Sequence, residues 1–203
     1  MAQIEVVVFD MGGVLVRLSP LTDMLAGIAD TGETDEELAR RFILAPAVRR
    51  FERGQSEIDD FANELIAEMD LPVRPAEVVE RMLAFPKGLF PGAIDLVASV
   101  QAAGVLAAVL SNTNRLHWGR QTDHAEIRAM FDRSYLSFQL GMVKPDPEIY
   151  EHVVADLGVP ADRVLFIDDN QINVDGARAV GLAAEVARGR EEAEAIIRSY
   201  GVI

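Results

Sequence analysis

An apolar run near the start of the chain ends in an aspartate, and this feature constrains the fold more than any other. Residues Ile4 to Phe9 are mostly β-branched or aromatic, which predicts a buried strand, and Asp10 follows directly. Gly12 and Gly13 then allow the backbone to turn sharply and to approach a ligand closely. Open α/β sheets bind ligands at the carboxyl ends of their strands, so Asp10 is a candidate nucleophile or metal ligand. The competing interpretation is a turn-forming or capping Asp.

Two more segments place polar side chains beside the ends of predicted strands. The apolar run from Val105 to Leu110 predicts a strand, and Ser111 follows it. The Ser111 hydroxyl and the backbone N–H groups after it can hold a phosphate oxygen. Lys144 lies in a loop next to Pro145, where its ammonium can act as a point charge toward an anion. The alternatives are an ordinary polar loop and a solvated lysine.

A fourth segment ends in two adjacent carboxylates. The run Arg163–Ile167 predicts a strand, and it is followed by Asp168, Asp169 and Asn170. Neighbouring carboxylates repel each other, so the placement is costly unless a cation shares the site. Taken alone, these residues would also suit the cap of a following helix. Because all four segments carry such residues at or beside strand ends, a functional site is the better interpretation of the set.

Composition restricts the class of partner. Of the 203 residues 50% are hydrophobic, enough for a substantial core, and the length suggests one domain with a modest insert. The net charge of −14 argues against nucleic acid and anionic membranes, although a local Lys and a metal can still attract an anionic substrate. Cysteine is absent, which excludes thiol and disulfide chemistry. No targeting or membrane-spanning segment is visible, so we expect a cytoplasmic protein, monomeric or homodimeric.

The periodicity of the chain changes along its length. It is helical between residues 20 and 85, and from Pro91 onward strands alternate with helices. Such alternation predicts an α/β fold with a doubly wound parallel sheet. We therefore expect a core formed by residues 1–17 and 87–203. A helical cap of residues 18–86 would be inserted between the first and second strands and would cover the site.

Within the expected cap, the polar residues have ordinary structural interpretations. Ser56 is a candidate N-cap for the helix that follows it. Arg49, Arg50 and Arg53 are predicted to form a solvated helix face. The first apolar series at helical spacing consists of Leu21, Met24, Leu25 and Ile28.

Taken in order, these segments resemble the motifs of the haloacid dehalogenase (HAD) superfamily of hydrolases. The residues that carry the resemblance are Phe9-Asp10-x-Gly12-Gly13-Val14-Leu15, Ser111-Asn112-Thr113-Asn114, Lys144-Pro145 and Asp168-Asp169-Asn170. The stretches 110–117 and 140–145 are similar to the bacterial sugar-phosphatase branch that includes alpha-D-glucose-1-phosphate phosphatase. The resemblance implies a Rossmann-like core and hydrolysis of a phosphomonoester through an aspartyl-phosphate on Asp10.

The resemblance also assigns roles to individual residues. A divalent cation, Mg²⁺, would bridge Asp10 and a phosphate oxygen. Asp169 is the first choice for a further metal ligand, and Asp168 would make a direct or water-mediated contact. Ser111 and Lys144 would hold the transferring phosphoryl oxygens, and Lys144 would also offset the charge of the carboxylates. The remaining expected contacts are the backbone carbonyl of Gly12 with the metal, and Gly12, Asn112 and His117 with the substrate.

Position 12 departs from the family pattern. Most phosphatases of this superfamily carry a second Asp there, which acts as general acid and base, whereas this chain has Gly12. General acid–base catalysis is worth about 10²–10⁴-fold, so the change is substantial. The substrate could be a hexose 1-phosphate, whose anomeric leaving group needs less protonation. Alternatively His117 replaces the Asp, although a histidine that simply contacts the cap is favoured, or the protein is inactive.

Two other functions compete with phosphate-ester hydrolysis. A metal-independent 2-haloacid dehalogenase needs no acid at position 12, but the Asp168-Asp169 pair argues against it. A nonhydrolytic binding or regulatory protein on the same fold is the second alternative. Retention of Asp10, Lys144 and the Asp pair disfavours that reading.

Overall fold

The computed structural model describes residues 3–21, 25, 33–120 and 125–203. Its main sheet has five strands, all parallel, in the order β5-β4-β1-β6-β7. The strands of the chain are β1 Val6–Phe9, β2 Val16–Leu18, β3 Pro86–Leu89, β4 Leu106–Ser111, β5 Arg133–Leu136, β6 Val164–Asp168 and β7 Ala183–Val186. The predicted doubly wound α/β fold is confirmed.

Helices precede or follow most of these strands, and proline starts several of them. Pro46, Pro75 and Pro147 occupy first-turn positions, where the missing N–H costs no hydrogen bond. The described helices are α1 Asp35–Leu44, α2 Pro46–Glu52, α3 Ile58–Met69, α4 Pro75–Ala84, α5 Ala93–Ala102, α6 Arg115–Arg120, α7 Ala125–Met130, α8 Ser137–Leu140, α9 Pro147–Leu157, α10 Gln171–Ala179 and α11 Arg190–Ser199. Among the described residues, none of these helices is long and apolar enough to cross a membrane.

Both faces of the main sheet are buried, which explains the nearly continuous apolar runs of its strands. Successive side chains of a strand point to opposite faces. Val7 and Phe9 accordingly belong to one hydrophobic cluster, and Val6 and Val8 to the other. The central strand β1 is buried throughout, so the residue that follows it is held by a rigid support.

A helical insertion, which we define as residues 19–85, separates β2 from β3. These two short strands pair antiparallel, and the insertion has its own apolar cluster that includes Phe51, Phe61 and Leu65. The expected cap of residues 18–86 corresponds to this region, and its status as a separate domain stays a prediction. Of the first helical series, Met24 and Ile28 lie outside the described residues.

The predicted N-cap at Ser56 is wrong. Helix α3 begins at Ile58, and Glu57 occupies the N-cap position without a side-chain hydrogen bond. The Ser56 hydroxyl is instead buried without a hydrogen-bond partner among the described residues. One residue of difference at a helix start is within the ordinary uncertainty of sequence patterns.

Candidate active site

The strand register brings two of the predicted carboxylates together. Phe9 pairs with Ile167, so Asp10 and Asp168 are neighbours at the carboxyl ends of β1 and β6. On the other side of β1, Phe9 pairs with Val109, which places the end of β4 and Ser111 beside the same position. Parallel strands thus gather the three predicted segments at one edge of the sheet.

Lys144 bridges the two carboxylates. Its Nζ donates to Asp10 Oδ1 at 2.8 Å, to Asp168 Oδ2 at 2.6 Å and to the Leu110 carbonyl at 3.1 Å. The side chain is only 1% exposed. Burial alone would lower the pKa of Lys144, but the carboxylates of Asp10 and Asp168 raise it above its ordinary value. All three ammonium hydrogens are engaged, so a contact with a phosphoryl oxygen would require Lys144 to release one of these acceptors.

Asn112 holds the backbone of Lys144. Its Oδ1 accepts from the Lys144 N–H at 2.9 Å, and its Nδ2 donates to the Lys144 carbonyl at 3.1 Å. This pair of hydrogen bonds fastens the Lys144 loop to the end of β4. The expected substrate contact of Asn112 stays a prediction, because the structure places most of its amide against the protein itself.

Three carboxylates form a cluster with metal-ligating character. Asp10, Asp168 and Asp169 each offer an oxygen, and these oxygens lie within 4.8 Å of one another. Burial raises the pKa of Asp10 to about 7, with Lys144 opposing and Asp168 reinforcing the shift. Burial also raises the pKa of Asp169 to about 8, and the Asp168 and Asp10 carboxylates add to it. Against one ammonium, three ionised carboxylates leave two negative charges uncompensated.

The cluster fits a hard divalent cation. Carboxylate oxygens are the ligands that Mg²⁺ prefers in proteins. In the wall of the same cavity, Asn173 Oδ1 is buried without a hydrogen-bond partner among the described residues, which leaves an acceptor for a bound ion or its water. Asp168 is the less available of the two predicted ligands, because Asn170 N and Asn173 Nδ2 donate to its Oδ1 and Lys144 to its Oδ2.

The two glycines after Asp10 have different constraints. Gly13 adopts a φ of +70°, and a Cβ added there would lie 2.2 Å from Asp169 Oδ2. A side chain at position 13 would therefore displace a predicted metal ligand. At Gly12 a Cβ would meet only the Leu18 side chain, at 3.1 Å, so a side chain is less strongly disfavoured at position 12 than at position 13. Gly12 lines the cavity, and its predicted carbonyl contact stays a prediction.

The segment after β4 is only partly available to a ligand. Ser111 lines a small cavity with Gly12 and Asn112, as expected for a phosphate contact. The backbone N–H of Thr113 is not available, because it donates to Ser137 Oγ at 2.9 Å. The hydroxyl of Ser111 is thus the better candidate of the two predicted kinds of donor.

His117 connects the core to the insertion. Its Nε2 lies 2.8 Å from the carbonyl of Met82 in α4, and its Nδ1 lies 3.4 Å from Asn114 Nδ2. Burial lowers the pKa of His117, with the Met82 contact opposing the shift. Both ring nitrogens face protein groups, so the geometry favours a contact with the insertion over a replacement for the missing acid.

Sequence patterns did not identify Glu52, which lies at the end of α2. Its side chain lines a cavity of about 570 Å³ together with Asp10, Lys144 and Asp169. The available signal was its spacing, since Glu52 follows Val48 by four residues and therefore extends the buried face of α2. A carboxylate at that position requires an explanation, because acidic side chains on a buried face are uncommon.

The prediction of a solvated arginine face is wrong for two of its three members. Arg49 Nη2 lies 2.5 Å from Asp146 Oδ2, and Arg53 pairs with the same oxygen. Arg50 alone points away, toward Glu64 within the insertion. The two inward arginines fasten α2 to the loop that carries Lys144.

Comparison with known proteins supplies a family context for this site. A family model described as haloacid dehalogenase-like hydrolase matches residues 4–181. The sesquiterpene phosphatase astK of Aspergillus oryzae is 30% identical over 177 residues, which cover 86% of this chain and 85% of that protein. The D-ribitol-5-phosphate phosphatase of Bacteroides thetaiotaomicron is 26% identical over 188 residues, covering 88% and 89%.

Other relatives share the fold with different chemistry or with bound ligands. The (S)-2-haloacid dehalogenase 1 of a Pseudomonas species is 27% identical over 195 residues, covering 89% of this chain and 83% of that protein. Among solved structures, a HAD family enzyme from Bacteroides thetaiotaomicron in complex with magnesium and inorganic phosphate superposes with a TM-score of 0.66 at 24% identity. That superposition covers 90% of this chain and 93% of the other, and it establishes a common fold.

Proposed function

Because this chain belongs to the haloacid dehalogenase-like hydrolases, we propose that it is a Mg²⁺-dependent phosphomonoester hydrolase with Asp10 as its nucleophile. The observation that carries the proposal is the position of Asp10 in the wall of the cavity, inside a cluster of three carboxylates with one lysine. A nucleophilic carboxylate needs an ionised form, and Lys144 favours that form through its hydrogen bond to Oδ1.

Asp10, Asp169 and the carbonyl of Gly12 would hold the metal ion, and Asp168 would contact it directly or through water. Bound there, Mg²⁺ would neutralise the two uncompensated charges and draw electron density from a phosphoryl oxygen. Support comes from the oxygen-only donor set, and from the related HAD enzyme that was crystallised with magnesium and phosphate.

The residues of the chain then perform a displacement in two steps. A carboxylate oxygen of Asp10 forms a bond to phosphorus, and the bond to the ester oxygen breaks, which leaves an aspartyl-phosphate and an alkoxide. Ser111 donates a hydrogen bond to a phosphoryl oxygen, and Lys144 keeps the paired carboxylates Asp10 and Asp168 in place. The oxygen of a water molecule then bonds to phosphorus as the bond between phosphorus and the Asp10 oxygen breaks, which releases inorganic phosphate and restores the Asp10 carboxylate.

Two features bear on the substrate class, namely the apolar wall of the cavity and the missing side chain at Gly12. The prediction of a hexose 1-phosphate rests on the leaving group, which needs little protonation. The cavity wall favours a second candidate, a phosphate ester of an apolar alcohol, because it contains Leu18, Phe42, Ile43, Phe85 and Phe90. One related protein is named for a sesquiterpene, which agrees with the apolar class. Another is named for D-ribitol 5-phosphate, which is a polar sugar-alcohol ester without an anomeric leaving group.

The dehalogenase alternative is disfavoured by the same cluster. Displacement of a halide from carbon by Asp10 needs no cation, and two extra buried carboxylates would only repel a haloacid substrate. A dehalogenase relative at 27% identity keeps the alternative open to experiment.

The test measures phosphate release from a panel of esters, with Mg²⁺ and with EDTA. The panel contains glucose 1-phosphate, ribitol 5-phosphate, a prenyl phosphate and nitrophenyl phosphate. We expect metal-dependent release that falls about 10⁴-fold or more in Asp10→Asn, whereas the exposed control Asp162→Asn retains it. Chloride release from a 2-haloacid without metal, and no phosphate release, would instead identify a dehalogenase.

A further inference from the structure

Among the described residues of the core, none has been assigned as proton donor for the reaction as proposed. Gly12 has no side chain, and both ring nitrogens of His117 face protein groups. An alkoxide is a poor leaving group unless it receives a proton as its bond to phosphorus breaks. Another element that borders the cavity can supply the donor.

Glu52 borders the cavity from the insertion. It shares the cavity wall with Asp10, Lys144 and Asn112. In an in-line displacement the leaving oxygen lies on the side of phosphorus away from the attacking oxygen. Because Asp10 attacks from the ends of the core strands, the leaving group would face the insertion, which is the element that provides Glu52.

Two contacts fix helix α2, and with it Glu52, against the core. Arg49 and Arg53 both pair with Asp146, two residues beyond Lys144. Just after the helix, Gly54 adopts a φ of +69°, and a Cβ added there would lie 2.7 Å from the Phe138 carbonyl. The end of α2 therefore packs directly on the backbone of α8. A proton donor held by a rigid element loses less conformational entropy when the substrate binds.

The charges around Glu52 suit a group that holds a proton near neutral pH. Burial raises the pKa of Glu52 to about 7, Lys144 and Arg49 oppose the shift, and Asp10 reinforces it. The polar amide of Asn112 also opposes it. A general acid works best when its pKa lies near the working pH.

We propose that Glu52 is the catalytic acid and base of this enzyme and takes the place of the acidic side chain absent from position 12. This inference rests on the proposed phosphatase function. As the bond between phosphorus and the ester oxygen breaks, the electron pair stays on that oxygen, which takes the proton of Glu52 and leaves as an alcohol. The Glu52 carboxylate then removes a proton from water while the water oxygen bonds to phosphorus. Inorganic phosphate forms, Asp10 is released, and Glu52 is protonated again.

The experiment compares leaving groups in Glu52→Gln, a variant that keeps the size of the side chain. Nitrophenolate leaves without a proton, whereas a simple alkoxide does not. For an alkyl phosphate we expect kcat/KM to fall about 10²–10⁴-fold. For nitrophenyl phosphate we expect a rapid burst of nitrophenolate that changes by less than about tenfold, followed by slow turnover and accumulation of the phosphoenzyme, because the base for the second step is missing.

The control variant is Glu57→Gln, an exposed carboxylate at the start of α3. It should match the wild-type protein on both substrates, and thermal melting of both variants should confirm that they are folded. Equal losses on the two substrates would overturn the proposal, because that result identifies a structural role. So would an unchanged kcat/KM for the alkyl phosphate.

The proposed function and this inference fail in different ways. If the wild-type protein releases phosphate from no ester, or if Asp10→Asn retains release, both are wrong. If wild-type activity depends on Asp10 but Glu52→Gln does not discriminate between leaving groups, only the assignment of Glu52 is wrong.

Discussion

The edge of the sheet and the insertion beside it both contribute charged groups to the cavity, but they hold those groups differently. At the sheet edge, the register of β1 and β6 sets the positions of Asp10 and Asp168. Lys144 lies between them, and its side chain is 1% exposed. In the insertion, Glu52 depends on a short helix that is fastened to the core by Arg49 and Arg53. The first arrangement is set by the strand register of the core, whereas the second depends on ion pairs between elements that are distant in sequence.

This difference implies a division of labour. In the proposed mechanism the core binds and attacks phosphorus. Because its buried charges are interdependent, removing one should affect stability and activity together. In the same mechanism the insertion would face the variable part of the substrate and supply the proton. Its contacts can therefore change with the substrate while the core stays the same.

The largest effect should come from Lys144→Met, which breaks the core arrangement. Removing the ammonium leaves Asp10 and Asp168 buried without a counter-charge. We expect the free energy of unfolding to fall by about 3–5 kcal/mol and kcat to fall about 10²–10³-fold. Urea denaturation and phosphate release measure the two effects, and the exposed Lys87→Met is the matched control. A stable, active Lys144→Met would show that the buried charges do not depend on one another.

A second prediction concerns the charge of the acidic cluster in metal-free protein. Burial raises the pKa of Asp169 from 3.8 to about 8, so the folded protein keeps a proton that the unfolded chain releases. The stability contributed by this group is therefore complete below about pH 4 and is lost as the pH rises toward 8. In EDTA we expect Asp169→Asn to be more stable than the wild-type protein by about 1–3 kcal/mol at pH 8, but not at pH 4.

Thermal melting at several pH values provides the measurement. Mg²⁺ should remove the advantage of the variant at pH 8, because the ion stabilises the ionised wild-type cluster. Equal stability of the two metal-free proteins at pH 8 would mean that the carboxylates do not repel one another as described.

A third prediction tests the attachment of the insertion. The double variant Arg49→Ala/Arg53→Ala leaves Asp146 without its partners, and we expect a loss of about 1–2 kcal/mol in the free energy of unfolding. Activity on alkyl phosphates should fall more than the nitrophenolate burst, because Glu52 is no longer held in place. Arg50→Ala on the same helix is the control, and the loss of its exposed, solvent-screened pair with Glu64 should leave stability nearly unchanged. A similar effect of Arg50→Ala would contradict the proposed attachment.

The smallest expected effect comes from a variant that moves the proton donor from the insertion into the core. Gly12→Asp in the Glu52→Gln background should recover about tenfold of the lost kcat/KM for an alkyl phosphate. The Cβ of the new side chain displaces Leu18 by only a few tenths of an ångström, because the contact at 3.1 Å is with a flexible side-chain end. Steady-state kinetics with Gly12→Asp alone as the reference provides the measurement. A further loss of activity would mean that the cavity at position 12 is needed by the substrate.

The sequence indicates the core site well for a physical reason. Asp10, Ser111 and Asp168 each follow an apolar run, and parallel strands must bring their carboxyl ends to one edge. The residues that the local sequence pattern selects are therefore the same residues that the fold brings together. The family resemblance carried by these residues is confirmed, as is the α/β fold. The individual roles of the residues stay predictions.

The insertion is harder to interpret because its important contacts are distant in sequence. Arg49 and Asp146 are 97 residues apart, and nothing in the pattern of α2 distinguishes an arginine that pairs with the core from one that faces solvent. The same holds for Glu52, whose significance appears only when α2 is placed against Lys144. Helical periodicity identifies the buried face of such a helix but not the element that it packs against.

The most direct test of the account is to trap the phosphoryl group on the protein. The wild-type protein and Glu52→Gln are mixed with a phosphate ester that carries radioactive phosphorus, quenched in acid within the first turnover, and digested. We expect the label on the peptide that contains Asp10, in greater amount in Glu52→Gln, and none in Asp10→Asn. Phosphate release without any labelled Asp10 peptide, or a label on another residue, would contradict nucleophilic catalysis by Asp10.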